Sequence, residues 1–192
     1  MLEGAIDPKA IAKLAKERGF PAIAVTDRNG LYGVMSFASA CKEQGIQPIL
    51  GTALAVAREP GGSVIDWLGL YAQNEAGWLN LCDLVSRAHL DRPLELDPHV
   101  QLADIVSHAD GLIALTGAGD GALVRLLAEG RGEQARDYCA TLRDCFGDRL
   151  YIEVARRGDP VEDAAEEALI ELAFETGLPL VATNPANYGE PH

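Results

Sequence analysis

The chain has 192 residues, which suits one domain with a substantial core, and it contains no run of roughly 18 apolar residues that would predict a membrane-spanning helix. Its net charge of -13 and its lack of basic clusters argue against a free-standing nucleic-acid binder, because contacts to phosphate dominate the affinity of such proteins. The first residues lack the basic flank and following apolar stretch of a secretory signal. We therefore expect a cytoplasmic protein with no membrane partner.

One local pattern recurs three times along the chain. An amphipathic helix ends in glycine, a hydrophobic residue and a nearby proline follow, and a short apolar run comes next. The closing glycines are Gly19, Gly45 and Gly177. Glycine supplies the left-handed turn that ends a helix, and proline cannot continue the helix but is allowed where a strand begins. The apolar runs lack polar alternation, which is typical of parallel strands buried on both faces.

The predicted elements alternate between helices and strands. The predicted helices span residues 8–18, 34–44, 75–88, 120–129, 133–145 and 160–176. The predicted strands span residues 22–27, 49–51, 67–72, 111–116, 150–154 and 180–184, and residues 89–101 are predicted to form an irregular connection. This alternation predicts a single α/β domain over residues 1–192, with a mainly parallel sheet that is open or closed into a barrel.

Both ends of the chain are predicted to be cut within the domain. The first predicted element is a helix with no strand before it, and no helix is predicted after the last strand. A parallel sheet that lacks an end element would be left with an exposed edge. We therefore expect these residues to be a fragment of a domain that is completed by segments outside them.

Functional groups of α/β folds gather at the carboxyl ends of the strands. Those positions offer Asp27, Glu153, and either Asp120 or Asp159, but no histidine. A hydrolytic metal site needs three or more converging ligands, so only a carboxylate-bound magnesium site stays open. The four cysteines form no Cys-x-x-Cys pair, so no zinc or redox site is predicted.

Three arginines follow the same predicted strands. Arg28, Arg156 and Arg157 would disfavour a bound cation. We expect them to form ion pairs with Asp27 and Glu153 instead.

The segment from Gly117 to Ala122 matches the loose dinucleotide-binding pattern G-x-G-x-x-G/A. The pattern should be followed by a strand that ends in an acidic residue about 20 positions later, whereas residues 133–145 are predicted to be a helix. A tight strand-to-helix turn is the favoured interpretation, and a nucleotide-binding protein stays an alternative. No G-x-S-x-G motif supports nucleophilic catalysis.

Taken together, these motifs resemble the PHP domain, named for the polymerase and histidinol phosphatase family, at the amino end of the bacterial DNA polymerase III alpha subunit. The resemblance implies a distorted (β/α)7 TIM-like barrel whose first strand would lie before Met1. The matching stretches are residues 1–5, 21–27, 31–34 with Phe37, 41–51, 72–81, 111–117, 151–153 and 178–184.

The chain departs from the family pattern at the metal ligands. The resemblance places His, Glu, Cys, His, Asp and His at six strand-end positions, and Asp27 is the ligand that is kept. The six positions here are Arg28, Ala53, Ala118, Arg157, Pro185 and Asn187. Guanidinium in place of imidazole puts fixed positive charge where ions would bind. These departures imply a vestigial site with no catalytic, cofactor-binding or metal-ligating residue.

The resemblance thus implies a non-catalytic module of a DNA-directed DNA polymerase, a nucleotidyltransferase for which magnesium is the expected cofactor. The implied partners are the proofreading exonuclease subunit and the remainder of the polymerase chain, with DNA reached only through that chain. An active metal-dependent phosphoesterase or 3'-5' exonuclease of the same family is the alternative.

Overall fold

The computed structural model of the chain describes residues 7–59, 61–92 and 95–183. The helices are α1 (Pro8–Glu17), α2 (Val34–Gln44), α3 (Glu75–Leu90), α4 (Leu102–Ser107), α5 (Ala122–Ala128), α6 (Gly132–Phe146) and α7 (Pro160–Thr176). The strands are β1 (Ala22–Arg28), β2 (Gln47–Ala57), β3 (Ile65–Ala72), β4 (Val100–Gln101), β5 (Leu112–Leu115), β6 (Leu150–Val154) and β7 (Leu180–Ala182). Within these ranges, no helix has the length and apolar character needed to cross a bilayer.

The described strands form one curled half-barrel sheet in the order β1-β2-β3-β5-β6-β7, with β4 paired to β2. Four pairings are parallel, as the sequence predicted, but β3 runs antiparallel to both β2 and β5. The sheet is therefore mixed. Residues 58–64 are too few for the crossover that parallel strands require, so β2 and β3 can pair only as a hairpin.

Local capping sets the helix ends. The side chains of Asp7, Asn74 and Asp159 each accept a hydrogen bond from a backbone N–H in the first turn of α1, α3 and α7. Helices α2 and α7 end at Gly45 and Gly177, whose φ angles are 72° and 68°. All six predicted helices are present with nearly the predicted bounds, because caps and closing glycines are local signals.

The predicted irregular connection at residues 89–101 is wrong in part. It contains the two-residue strand β4, and the short helix α4 follows directly. Gln101 and Asp104 cap α4 reciprocally, each side chain accepting from the other's backbone N–H. Elements this short carry too few residues for a hydrophobic period to reveal them.

The helices pack on the outer face of the sheet. Along β3, Asp66, Leu68 and Leu70 are buried under the helices, and Trp67 alternates with them on the concave face. A separate small cluster joins α1 and α2 to the outer face of β1 and β2, with Phe37 fully buried at its centre. The concave face and the strand ends are thus left for other contacts.

A buried ion-pair network fixes the β2–β3 hairpin to α5. Asp66 is 2% exposed, and its carboxylate oxygens lie 2.8 Å from Arg58 Nε and 2.6 Å from Arg125 Nη1. Arg58 Nη1 also donates to Glu129 Oε2 at 2.8 Å. The hydrogen bond to Asp66 raises the pKa of Arg58 above its ordinary value. Arg58 therefore stays charged, and the network depends on the Asp66 carboxylate.

We expect Asp66→Ala to lower the free energy of unfolding by about 3–5 kcal/mol, because breaking a buried ion pair leaves an uncompensated buried charge. Urea unfolding followed by circular dichroism measures the change. Asp137→Ala, on the exposed surface of α6, is the matched control and should change stability by less than about 0.5 kcal/mol. Equal effects of the two substitutions would contradict a stabilising role for the network.

Candidate functional site at the carboxyl ends of the strands

The sheet register brings two of the predicted site positions together. Arg28 pairs with Ala53 across β1 and β2, Ala53 pairs with Gly69 of β3, and Gly69 pairs with Leu115 of β5. These residues form one row across the sheet at the carboxyl ends of β1 and β5. Arg28 and Ala53 therefore stand side by side where the family pattern places two metal ligands.

Arg28 is held by an aromatic ring and a carboxylate. Its guanidinium carbon lies 4.5 Å from the centroid of the Trp67 ring, and its Nη2 lies 3.1 Å from Asp120 Oδ2. The side chains of the ion pair are 43% and 50% exposed, so solvent screens their attraction, and the stacking on Trp67 adds to it. A fixed positive charge thus occupies the end of β1.

The predicted ion pair between Arg28 and Asp27 is wrong. Successive residues of a strand point to opposite faces, so these side chains leave β1 in opposite directions. Asp27 Oδ2 accepts a hydrogen bond of 3.2 Å from the backbone N–H of Gly33, in the loop before α2. The one kept ligand position therefore has a structural contact of its own.

The turn after β5 explains the glycines of the dinucleotide-like pattern. Gly117 has a φ of 87°, and a Cβ at this position would lie 2.1 Å from the Trp67 carbonyl oxygen. A Cβ at Gly119 would lie 2.8 Å from Glu162 Oε1, and a Cβ at the neighbouring Gly121 would lie 1.8 Å from the carbonyl oxygen of Thr116. The Gly117 N–H donates to Glu153 Oε2 at 2.9 Å. Close packing thus accounts for the glycines, and the predicted tight turn is observed.

Glu162 is a site residue that no sequence motif predicted, and it accepts hydrogen bonds from Gly119 and Arg157. It is 5% exposed, and its Oε1 accepts from Gly119 N–H at 3.2 Å and from Arg157 Nε at 3.0 Å. Arg157 Nη2 donates to the same oxygen, and this hydrogen bond raises the pKa of Arg157. Glu162 lies three residues after the N-cap Asp159, a spacing typical of a capping box. That signal marks the helix start and does not indicate the contact with Arg157.

Both carboxylate oxygens of Glu153 are occupied. Oε2 accepts from Gly117 N–H, and Oε1 accepts from the Thr183 hydroxyl at 2.6 Å. Burial and the nearby Glu153 charge raise the pKa of Tyr71 to about 12. Glu153 therefore joins the ends of β5, β6 and β7 through the donors of the protein itself.

The predicted pairing of Arg156 and Arg157 with Glu153 is also wrong. Arg156 forms a two-bond ion pair with Glu166, at 2.9 and 2.8 Å, and Arg157 pairs with Glu162. Both arginines lie in the short loop between β6 and α7. The side chains of these two arginines contact the first two turns of α7, whereas Glu153 lies in strand β6 of the sheet.

Asn29 is a second residue whose role the sequence did not reveal. Its Oδ1 accepts from Ala55 N–H at 2.8 Å, and its Nδ2 donates to the Pro98 carbonyl at 2.7 Å. Its own carbonyl oxygen lies 2.8 Å from His89 Nε2. The buried Asn29 thus gathers three segments at the end of β1, and His89 has a backbone partner there.

The remaining predicted positions contribute no ligand atom where they are described. Ala118 is buried, with a methyl side chain and a φ of 43°, a left-handed conformation that costs a non-glycine residue roughly 1 kcal/mol. Ala53 likewise carries only a methyl group. Pro185 and Asn187 lie outside the described residues.

The donor set does not fit a metal cluster. Across residues 7–59, 61–92 and 95–183, no three His, Cys, Asp or Glu side chains converge to hold an ion. Glu153 and Glu162 already bind N–H, hydroxyl or guanidinium donors, and the guanidinium groups of Arg157 and Arg28 pair with Glu162 and Asp120. Within the described residues, Glu153 and Glu162 thus join the strand ends through donors of the protein itself.

We expect Arg157→Met to lower the free energy of unfolding by about 2 kcal/mol, because the nearly buried Glu162 would lose its cationic partner. Arg156→Met is the matched control: Arg156 is 73% exposed, so its loss should change stability by less than about 0.5 kcal/mol. Urea unfolding of both variants distinguishes the two contacts. A smaller effect for Arg157→Met than for Arg156→Met would refute the assignment.

The chain is similar over its whole length to polymerase subunits. It is 41% identical to DNA polymerase III subunit alpha of Caulobacter vibrioides, covering 100% of this chain and 17% of that protein. It is 35% identical to the Treponema pallidum protein of the same name, covering 99% and 17%, and 33% identical to that of Rickettsia felis, covering 98% and 16%. The chain therefore spans about a sixth of the length of these relatives.

Solved structures share the fold at low sequence identity. A protein from Bifidobacterium adolescentis that is proposed to be a metal-dependent phosphoesterase superposes with a TM-score of 0.62 and 16% identity, covering 98% of this chain and 85% of that one. An amidohydrolase from Chromobacterium violaceum superposes with a TM-score of 0.60 and 17% identity, covering 96% and 83%. The family model described as PHP domain matches residues 1–157. The chain belongs to the PHP domain family.

Proposed function

We propose that this chain is the PHP domain of a bacterial replicative DNA polymerase, the DNA polymerase III subunit alpha, and acts there as a non-catalytic module. The observation that carries the proposal is the 41% identity to such a subunit across the whole chain. In this proposal, the activity of the whole protein is DNA-directed DNA synthesis in the cytoplasm, with magnesium as the cofactor of the polymerase part.

The proposed lack of hydrolytic activity is supported by the contacts of the charged residues at the strand ends. An active site would need open carboxylate or imidazole ligands, and Glu153 and Glu162 already accept hydrogen bonds from donors of the chain. Arg28 and Arg157 would repel a cation from the same place. We therefore propose that the domain binds no metal and that its strand-end residues have a structural role.

The acidic charge of the domain and the contacts at its strand ends support a scaffolding role. The chain has a net charge of -13, and its strand ends are joined by hydrogen bonds and ion pairs of the protein itself. We propose that it stabilises the polymerase chain and docks the proofreading exonuclease subunit. DNA would be reached only through the rest of the polymerase, since the net charge of -13 disfavours direct phosphate contacts.

The alternative is an active metal-dependent phosphoesterase or exonuclease. Its support is the fold shared with solved structures at 16–17% sequence identity. Similarity of fold at this level does not establish a shared activity.

We expect the purified full-length polymerase chain to hold well under one equivalent of metal in the PHP domain and to hydrolyse no phosphoester. Polymerase-site metal must be removed first, by substituting the polymerase carboxylates that bind it. Elemental analysis then measures the metal content, and turnover is assayed with added manganese or zinc on a generic phosphoester and single-stranded DNA. Two or more bound ions, with turnover that Asp27→Asn abolishes, would show an active hydrolase.

We expect the exonuclease subunit to protect peptides within residues 1–192 from amide hydrogen exchange when it binds the full-length chain. A docked protein excludes water from the backbone it covers, so protection maps the contact. Protection confined to other parts of the polymerase would contradict the scaffolding role.

A further inference from the structure

An open groove lies between α5, α6 and α7, away from the strand ends. Its volume is about 200 Å³. Leu127, Ala168 and Leu172 supply its apolar floor, and Leu172 is only 3% exposed. Pockets for drug-sized ligands measure roughly 300–1,000 Å³, so this groove is better matched to one or two side chains of a protein partner.

Two glycines, Gly130 and Gly132, line the groove, and at Gly132 the structure has room for a larger side chain. Gly130 has a φ of 72°, a conformation that favours glycine, and it ends the α5 segment. Gly132 is the first residue of α6, its φ is not positive, and a Cβ there would have only Arg136 Nη1 nearby, at 3.6 Å. Because glycine is a poorer helix former than alanine, neither packing nor helix stability accounts for Gly132. Its effect is to leave the groove unfilled.

The rim of the groove is acidic. Helix α7 contains six carboxylates and no basic residue in its sequence PVEDAAEEALIELAFET. Glu175 pairs with Arg136, the one cation among the lining residues, at 3.4 Å. Asp163, Glu167 and Glu171 of this helix have no ion-pair partner within the described part of the chain, and Glu171 is the one of the three that lines the groove. The uncompensated charge favours a positively charged occupant.

An apolar residue flanks the acidic rim. Phe174 lies three residues after Glu171 on α7 and is 80% exposed. A large aromatic side chain exposed to this degree beside an apolar groove is typical of a protein-binding surface.

We propose that this groove is the docking site for a partner segment that inserts an apolar side chain between Gly132 and Ala168 and places basic residues against α7. This inference rests on the proposed function, in which the domain holds the exonuclease subunit. It adds to that function the surface and the chemistry of the segment that it receives.

The test uses the full-length polymerase chain and the purified exonuclease subunit as the probe, with the dissociation constant measured by surface plasmon resonance. Ala168→Phe fills the groove from α7 and Gly132→Leu fills it from α6. We expect each to weaken binding about tenfold or more, as loss of a buried anchor does. Ala164→Phe is the matched control, since Ala164 is exposed one turn earlier on α7, outside the groove, and should leave binding within about twofold.

The charge contribution is tested with Glu171→Lys. We expect it to weaken binding several-fold at low salt and less at high salt, because ions screen rim charges. Thermal unfolding of each variant shows that the domain remains folded. If the wild-type chain binds the subunit and both groove-filling variants bind equally well, the groove inference is refuted and the scaffolding role stands. If the wild-type chain does not bind, both are refuted.

Discussion

A carboxylate that is removed from water needs hydrogen-bond donors or a cation, and this requirement organises the polar structure of the chain. Asp66 meets it with two guanidinium groups, Glu153 with an N–H and a hydroxyl, and Glu162 with an N–H and a guanidinium. Each carboxylate joins segments that are far apart in the sequence. Asp66 fixes the β2–β3 hairpin to α5, and Glu153 and Glu162 fix the turn after β5 to β6, β7 and α7.

The same contacts decide what the strand ends can do. At the carboxyl ends of β5 and β6 and at the start of α7, the described carboxylates Glu153 and Glu162 bind the protein's own donors. Arg28 and Arg157 neutralise the carboxylates of Asp120 and Glu162, at positions where the resemblance implies imidazoles. The chain has therefore kept the PHP fold with a different electrostatic arrangement, which is why function has to be argued from the site and not from the fold.

Helix α7 connects the two regions of interest. Its first turn carries Glu162, which closes the strand ends, and its buried residues, among them Leu169, pack in the main core. Its later turns carry Glu171 and Phe174, beside the groove. A partner docked there would contact a helix that is anchored at both its buried face and its first turn, so the surface is presented on a rigid element. Rigid presentation lowers the entropy lost on binding.

The sequence by itself determined the features whose signals are local. Aspartate and asparagine caps, closing glycines and apolar runs placed the helices and most strands, and the glycine pattern predicted the turn after β5. Fold and family could be inferred from the order of these elements and from the motifs at their ends. The departure of Arg28, Ala53, Ala118 and Arg157 from the ligand pattern that the resemblance implies was likewise visible from residue identity alone.

Only the tertiary structure decided which charged groups meet. The sequence paired Arg28 with Asp27, but strand alternation separates them, and Arg28 reaches Asp120 from a segment 92 residues away. The antiparallel direction of β3, the hydrogen bonds that Glu162 accepts and the groove between α5, α6 and α7 also depend on how distant elements pack. Short-range patterns encode backbone conformation, whereas ion pairs and cavities depend on side-chain directions that are fixed only when the sheet and helices have assembled.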